Sequence, residues 1–151
     1  MPRVLNIYKV PQAAAIAQKN LKWLGKRIPP RAHMANIRLH LNAWHTARRY
    51  QRNEPCVFCH KQGTEDRIEH ILHCSTVHDL FPMEFRSDAG FRVPVRSFFL
   101  FGLDGRSRII MSLFIYGLYT LHNDIRHTGE RGELRQTLLR IISMTPLNKC
   151  I

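Results

Sequence analysis

The sequence predicts a mainly α protein: a small helical domain with a C-x2-C…H-x3-C zinc knuckle and a basic helical N-terminal arm. Three observations carry that expectation. Apolar residues recur at three- and four-residue spacing in several long stretches, the period of a helix with one buried face. A cluster of chemistry-bearing residues, Cys56, Cys59, His70 and Cys74, lies between those stretches. The first 53 residues hold eleven Lys and Arg and no Asp or Glu. The chain thus divides into a basic arm (1–53), the knuckle (54–80) and an apolar helical body packed on it (81–151).

Residues 1–10 read as a short extended arm. Pro11 suits the first turn of a helix, where its missing N–H has no partner to lose. From Ala13 to Ile28 the apolar residues Ala13, Ile16, Ala17, Leu21, Leu24 and Ile28 fall on one helical face, with Lys19, Lys22 and Lys26 on another. Pro29-Pro30 ends this helix. A second helical stretch starts near Arg31, with Met34, Ile37, Leu41 and Trp44 as its expected apolar side. Arg31, Arg38, His45 and Arg52 would align on that helix if Asn42 did not break it. Residues 66–78 can form one helix across the knuckle. The stretch from Phe81 to Val95 is irregular, with Pro82, Gly90 and Pro94. Ser97 to Leu103 is apolar and reads equally as a short strand or a buried helical turn. Asp104-Gly105 marks a turn. Arg106 to Arg126 then reads as a long helix with a broad apolar side, and Glu133 to Met144 as a last amphipathic one, ended by Pro146.

The net charge is +12, and it is concentrated: the acid-free first third carries +11. A polyanion is the natural partner of such a segment. The 44% apolar content is that of a globular chain. No apolar run reaches membrane-spanning length; the longest, Ile109 to Leu121, reads as a buried helix. The N-terminal composition, basic and Ala-rich, matches a mitochondrial presequence as well as a retained RNA-binding arm.

Zinc takes four thiolate or imidazole ligands in a tetrahedron. A C-x2-C turn lets Cys56 and Cys59 grip one ion, and His70 and Cys74, four apart on a helix, project from one face to complete the set. Such a closed Cys3His site leaves no place for water, so it is structural and its binding energy serves folding. His60, His73 and His78 lie nearby, and His78 is the alternative fourth ligand. Cys56-Val57-Phe58-Cys59-His60 also reads as the C-x-x-C-H attachment motif of c-type haem, although haem leaves His70 and Cys74 without a role. A thioredoxin-like redox pair would need a strand before the motif and a helix directly after it, where the sequence reads as loop.

The string L-H-L-N-A-W-H-T…C-V-F-C…G-T-E-D-R-I-E-H-I-L-H-C resembles the zinc-binding domain at the C-terminus of non-LTR retrotransposon reverse transcriptases. The resemblance covers about residues 30–127, and Cys56, Cys59, His70 and Cys74 match its four ligand positions. The chain departs from the parent enzyme in having no polymerase palm: Asp66, Asp79, Asp88, Asp104 and Asp124 are scattered, with no adjacent pair. The resemblance therefore implies a nucleic-acid-binding accessory domain without an active site, separated from its enzyme.

The expected function is that of a zinc-stabilised, RNA-binding structural component of a ribonucleoprotein, with a mitochondrial ribosome as host and ribosomal RNA and neighbouring proteins as partners. No catalytic set or Gly-rich phosphate loop argues for an enzyme. Lys19, Lys22, Lys26, Arg27, Arg31, Arg38, Arg48, Arg49 and Arg52 are the expected phosphate contacts. Trp23, Trp44 and Tyr50 are candidates to stack on unpaired bases, Trp23 first, with core packing as the competing role of each. The alternatives are a retroelement fragment that binds its own template or target, and a haem electron carrier. A cytoplasmic or nuclear location is the alternative to a mitochondrial one.

Overall fold

The computed structural model describes residues 12–87 and 92–145. The expected arm at 1–10, Pro11, Pro146 and Cys150 lie outside them. The helices are α1 (Ala13–Leu24), α2 (Pro30–His40), α3 (Ile68–Ile71), α4 (Ser75–Leu80), α5 (Val95–Phe98), α6 (Gly105–Thr128) and α7 (Leu134–Ser143), with single 3-10 turns at Arg48–Tyr50 and Met83–Phe85. No strand occurs among the described residues. The apolar stretch after Pro94 is thus a helical turn, followed by the buried Phe99 and Leu100. No described helix is long and apolar enough to cross a membrane.

Helix α6 is the axis of the fold. Helices α2, α5 and α7 pack on it, and α1 packs on α2. Because it has neighbours on several sides, its buried residues run without a break from Met111 to Ile115 and continue through Gly117, Leu118, Leu121, His122 and Ile125. Its first turn is fixed by the Asp104 side chain, which accepts the Ser107 N–H at 2.8 Å. Its end is fixed by Gly129, left-handed at φ 73°, whose N–H reaches the Ile125 carbonyl. Gly117 sets the approach of α7: a Cβ there would lie 2.4 Å from Leu138 Cδ1 and 3.2 Å from Ile142 Cγ1.

The described part of the basic segment carries α1 and α2, and it shares the core of the rest of the described residues. Leu24, Ile28, Ala32, Leu39 and Trp44 belong to the same buried cluster as Cys56, Phe58, Ile71, Met111 and Leu118. Helix α1 stops at Leu24, one turn before Ile28, where the His33 ring lies over Gly25 and reaches the Leu21 carbonyl at 2.8 Å.

Helix α2 corrects the sequence expectation. Its buried face is Ala32, Ala35, Asn36, Leu39 and His40, while Met34 and Leu41 are exposed. Small residues let α2 approach α6 closely, and the polar ones hydrogen-bond there, with Asn36 Oδ1 left without a partner. Asn36 Nδ2 donates to the Ala32 carbonyl and to the Ser112 carbonyl of α6, at 2.8 and 3.0 Å. The His40 Nδ1 lies 2.8 Å from the Asn36 carbonyl. The helix ends at His40, and Asn42 turns left-handed at φ 51°, so Arg31, Arg38, His45 and Arg52 share no helical face.

Candidate metal centre

The four expected ligands converge. One donor atom from each of Cys56, Cys59, His70 and Cys74 lies within 4.8 Å of all the others, an arrangement able to hold a metal ion. The Cys56 and Cys74 sulfurs are 4.0 Å apart, and the Cys59 sulfur is 3.5 Å from His70 Nε2. A tetrahedron with metal–sulfur bonds of about 2.3 Å and metal–nitrogen bonds of about 2.0 Å has edges of roughly 3.5–3.8 Å. The set therefore fits a four-coordinate ion with little movement.

The first pair sits on a tight turn. His60 N–H bonds back to the Cys56 carbonyl at 2.9 Å, with His60 itself left-handed at φ 51°. The Thr64 hydroxyl locks the turn from behind. It accepts the Cys56 N–H at 3.2 Å and donates to the Lys61 carbonyl at 2.5 Å.

The second pair is built differently from the single helix expected over 66–78. The chain forms α3, breaks, and restarts as α4, with Cys74 extended at the N-cap of α4 (φ −69°, ψ 120°). There the Val77 and Thr76 N–H groups that open the helix favour its thiolate, without forming a side-chain cap bond. The break frees the Leu72 carbonyl, which lies 2.8 Å from His78 Nε2. His78 Nδ1 accepts the Val93 N–H at 2.7 Å. Both ring nitrogens of His78 are thus engaged with backbone, and it is His70 that stands in the cluster. His60 and His73 are exposed.

Electrostatics within the set are those of a proton-sharing thiol pair. The Cys74 pKa is held well below the ordinary thiol value, first by a hydrogen bond from Cys56 and then by the Val77 and Thr76 N–H groups, against the effect of burial. The Cys56 pKa is pushed up, first by that same bond to Cys74 and then by burial. The cluster thus favours one thiolate at Cys74, and ion binding would displace the protons that the thiols still hold.

Alternative roles for the C-x-x-C turn meet the same geometry. The Cys56 sulfur faces Cys74, and the Cys59 sulfur faces His70, so thioether bonds to a haem would need the atoms that the cluster already uses. No strand precedes the turn and no helix directly follows it, as a thioredoxin-like pair would require.

Asp66 is the residue that spacing alone did not single out. Fully buried between the two ligand pairs, it ties the knuckle to the rest of the fold. Its carboxylate lies 2.8 Å from His122 Nε2 and 3.4 Å from Arg126 Nη1, both on α6. It also accepts the Ala47 N–H at 2.8 Å, while its backbone carbonyl accepts the Arg48 N–H at 3.1 Å. Arg131, beyond α6, donates to the Phe58 carbonyl.

The nine expected phosphate contacts divide into two groups. Lys19, Lys22, Lys26, Arg31, Arg48, Arg49 and Arg52 are exposed. Arg27 lies 4.0 Å over the Trp23 ring and donates to the Trp23 carbonyl, and Arg38 donates to the Tyr119 hydroxyl. Of the aromatic candidates, Trp44 is buried and donates its indole N–H to the Ala35 carbonyl at 3.2 Å. Trp23 is half-buried beneath both Arg27 and Arg108. Tyr50 is the exposed one. Comparison with protein-family models, curated proteins and solved structures found no match to this chain.

Proposed function

We propose that this chain is a zinc-stabilised, RNA-binding structural component of a ribonucleoprotein, with a mitochondrial ribosome as its first-choice host. One observation carries the binding role. Seven exposed cations in the first 53 residues have no acidic neighbour in that segment, and none of the seven is in an ion pair among the described residues. Uncompensated positive charge of that density favours a polyanion, and phosphate contacts give affinity and register.

The identity of the ion rests on donor chemistry. Three thiolates and one imidazole in a closed tetrahedral set suit zinc, and they leave no open position for a reacting water. The cluster would then serve folding, and the cations beside it would serve binding. A second reading keeps the same chemistry within a retroelement: a nucleic-acid-binding piece of a reverse transcriptase. The similarity of the L-H-L-N-A-W-H-T and C-V-F-C…H-I-L-H-C strings to that family's zinc domain supports it.

The test is RNA affinity measured over a range of salt. Phosphate-dominated binding weakens steeply with salt, by a log–log slope of about 0.7 per contact for single strands. Replacing Lys19, Lys22 and Lys26 together with Gln should weaken binding and flatten that slope by about 2. Salt-independent binding would remove the phosphate contacts, and an unchanged triple variant would remove α1 from the interface. Co-sedimentation with ribosomal particles supports the first host. A chain that binds retroelement transcript or target DNA and never sediments with particles supports the second.

A further inference from the structure

A cleft of about 560 Å³ opens between the 45–52 segment and the C-terminal half of α6. Its volume is within the ~300–1,000 Å³ of small-ligand sites. Four of its lining residues carry or can take positive charge: His45, Arg52, Arg126 and His127. Asp124 is the carboxylate in the lining. The positive field reaches further than the lining. The His45 pKa is lowered by burial and then by the charges of Arg38, Arg49, Arg126 and His122.

Two features make this more than a charged dent. Tyr50 stands in the cleft wall with half its surface open, 54% exposed, and the His45 ring tilted beside it at 6.2 Å between centroids. It is carried on a rigid turn, because the residues before it, Ala47 and Arg48, are both hydrogen-bonded to Asp66. Opposite it, Arg126 is held by the His45 carbonyl at 2.6 Å and by Asp66, with its guanidinium 5.8 Å from the Tyr50 ring. Both bonds use Nη1, which leaves the other arm of the fork for a ligand. An aromatic face and a fixed arginine a few ångströms apart match the two halves of a nucleotide, a base and its phosphate.

We infer that this cleft seats one unstacked nucleotide of single-stranded RNA, its base on Tyr50 and its phosphate against Arg126, Arg52 and His127. The inference rests on the RNA-binding role proposed above and assigns that role a specific seat. Asp124 gives the seat an acceptor suited to a ribose 2′-hydroxyl or a base amine. A paired base cannot reach the ring, so the seat discriminates against duplex.

The experiment uses the full zinc-loaded chain with a short single-stranded oligoribonucleotide, its duplex form, and the single-stranded DNA of the same sequence. Tyr50→Ala should weaken the single-stranded RNA on the order of tenfold, as loss of one base stack does. Tyr50→Phe should restore it, and the duplex should bind both variants and the parent alike. The Tyr50→Ala melting curve should match the parent, since the ring is exposed. Equal single-strand affinity for the parent and Tyr50→Ala overturns the seat; if replacing Lys19, Lys22 and Lys26 still weakens binding, the wider RNA role survives. An equal loss for duplex also overturns the seat. DNA bound as tightly, with the same Tyr50 dependence, overturns the assignment to RNA. A parent chain that binds no nucleic acid overturns both this inference and the proposed function.

Discussion

Asp66 Oδ1 and His122 Nε2 lie 2.8 Å apart with both side chains fully buried, 56 residues apart in sequence. This contact and the Arg126 ion pair beside it join the candidate metal centre to the central helix. A buried carboxylate that serves His122, Arg126 and the Ala47 N–H is costly to remove, because three donors lose their acceptor at once.

Asp66→Ala should therefore destabilise the protein by about 3–5 kcal/mol, the range for breaking a buried pair. Denaturant unfolding of the zinc-loaded protein measures this. A loss below about 1 kcal/mol would mean that the pair is not holding α6 to the knuckle.

Cys59→Ser should abolish stoichiometric zinc binding and unfold the region around the knuckle, since a structural site contributes folding energy directly. Metal analysis of the parent should find about one zinc per chain, and a strong chelator should lower its melting temperature. A variant that binds no zinc yet melts cooperatively at the parent's temperature would remove the structural role.

His40 and His78 are buried, and burial lowers the pKa of each below the ordinary imidazole value of 6.5. The sign follows from proton counting. Above 6.5 both folded and unfolded chains keep the rings neutral. As pH falls below 6.5 the unfolded chain takes up protons before the folded one does, so stability declines toward acid. With zinc in excess, the unfolding free energy should drop between pH 7 and pH 5.5, and His40→Leu should flatten that dependence. A His40→Leu variant with the parent's full slope would show that this ring contributes nothing to it.

Gly117→Val should destabilise by about 1–3 kcal/mol through overpacking. The new Cβ would sit 2.4 Å from Leu138 Cδ1, and Leu138 is fully buried. Thermal melts test this, and Leu138→Ala in the same chain should recover part of the loss. An unaffected melt would show that α7 is free to shift away from α6.

Much of this was legible in the sequence, and the exceptions share a cause. The cluster was readable because a tetrahedral ion would fix residue type and close spacing, and all four candidate donors fall within 19 residues, Cys56 to Cys74. The long helices were readable from their period, α6 especially. The face of α2 was not. Met34, Ile37 and Leu41 are the larger apolar residues and suggested the buried side. The helix instead buries Ala32, Ala35, Asn36, Leu39 and His40, where the small alanines and the Asn36 bond to the Ser112 carbonyl permit a close contact with α6. The same 3-4 spacing was present, but apart from Leu39 in residues smaller or more polar than Met34, Ile37 and Leu41. The break at Cys74 was hidden because a cysteine at an N-cap position reads like any helical cysteine. The Asp66 hub was hidden because its partners lie 19, 56 and 60 residues away.

Those separations also set an order of events. Closing the loop between Cys56 and Cys74 spans 18 residues, whereas joining Asp66 to Arg126 spans 60. The longer closure costs about 1 kcal/mol more chain entropy, and it gains its reward only if Asp66 is already in place. The expected folding sequence is that metal capture closes the short loop first and presents Asp66, upon which α6 docks. Refolding should then speed up with zinc concentration until docking becomes limiting, and a rate indifferent to zinc would reverse that order.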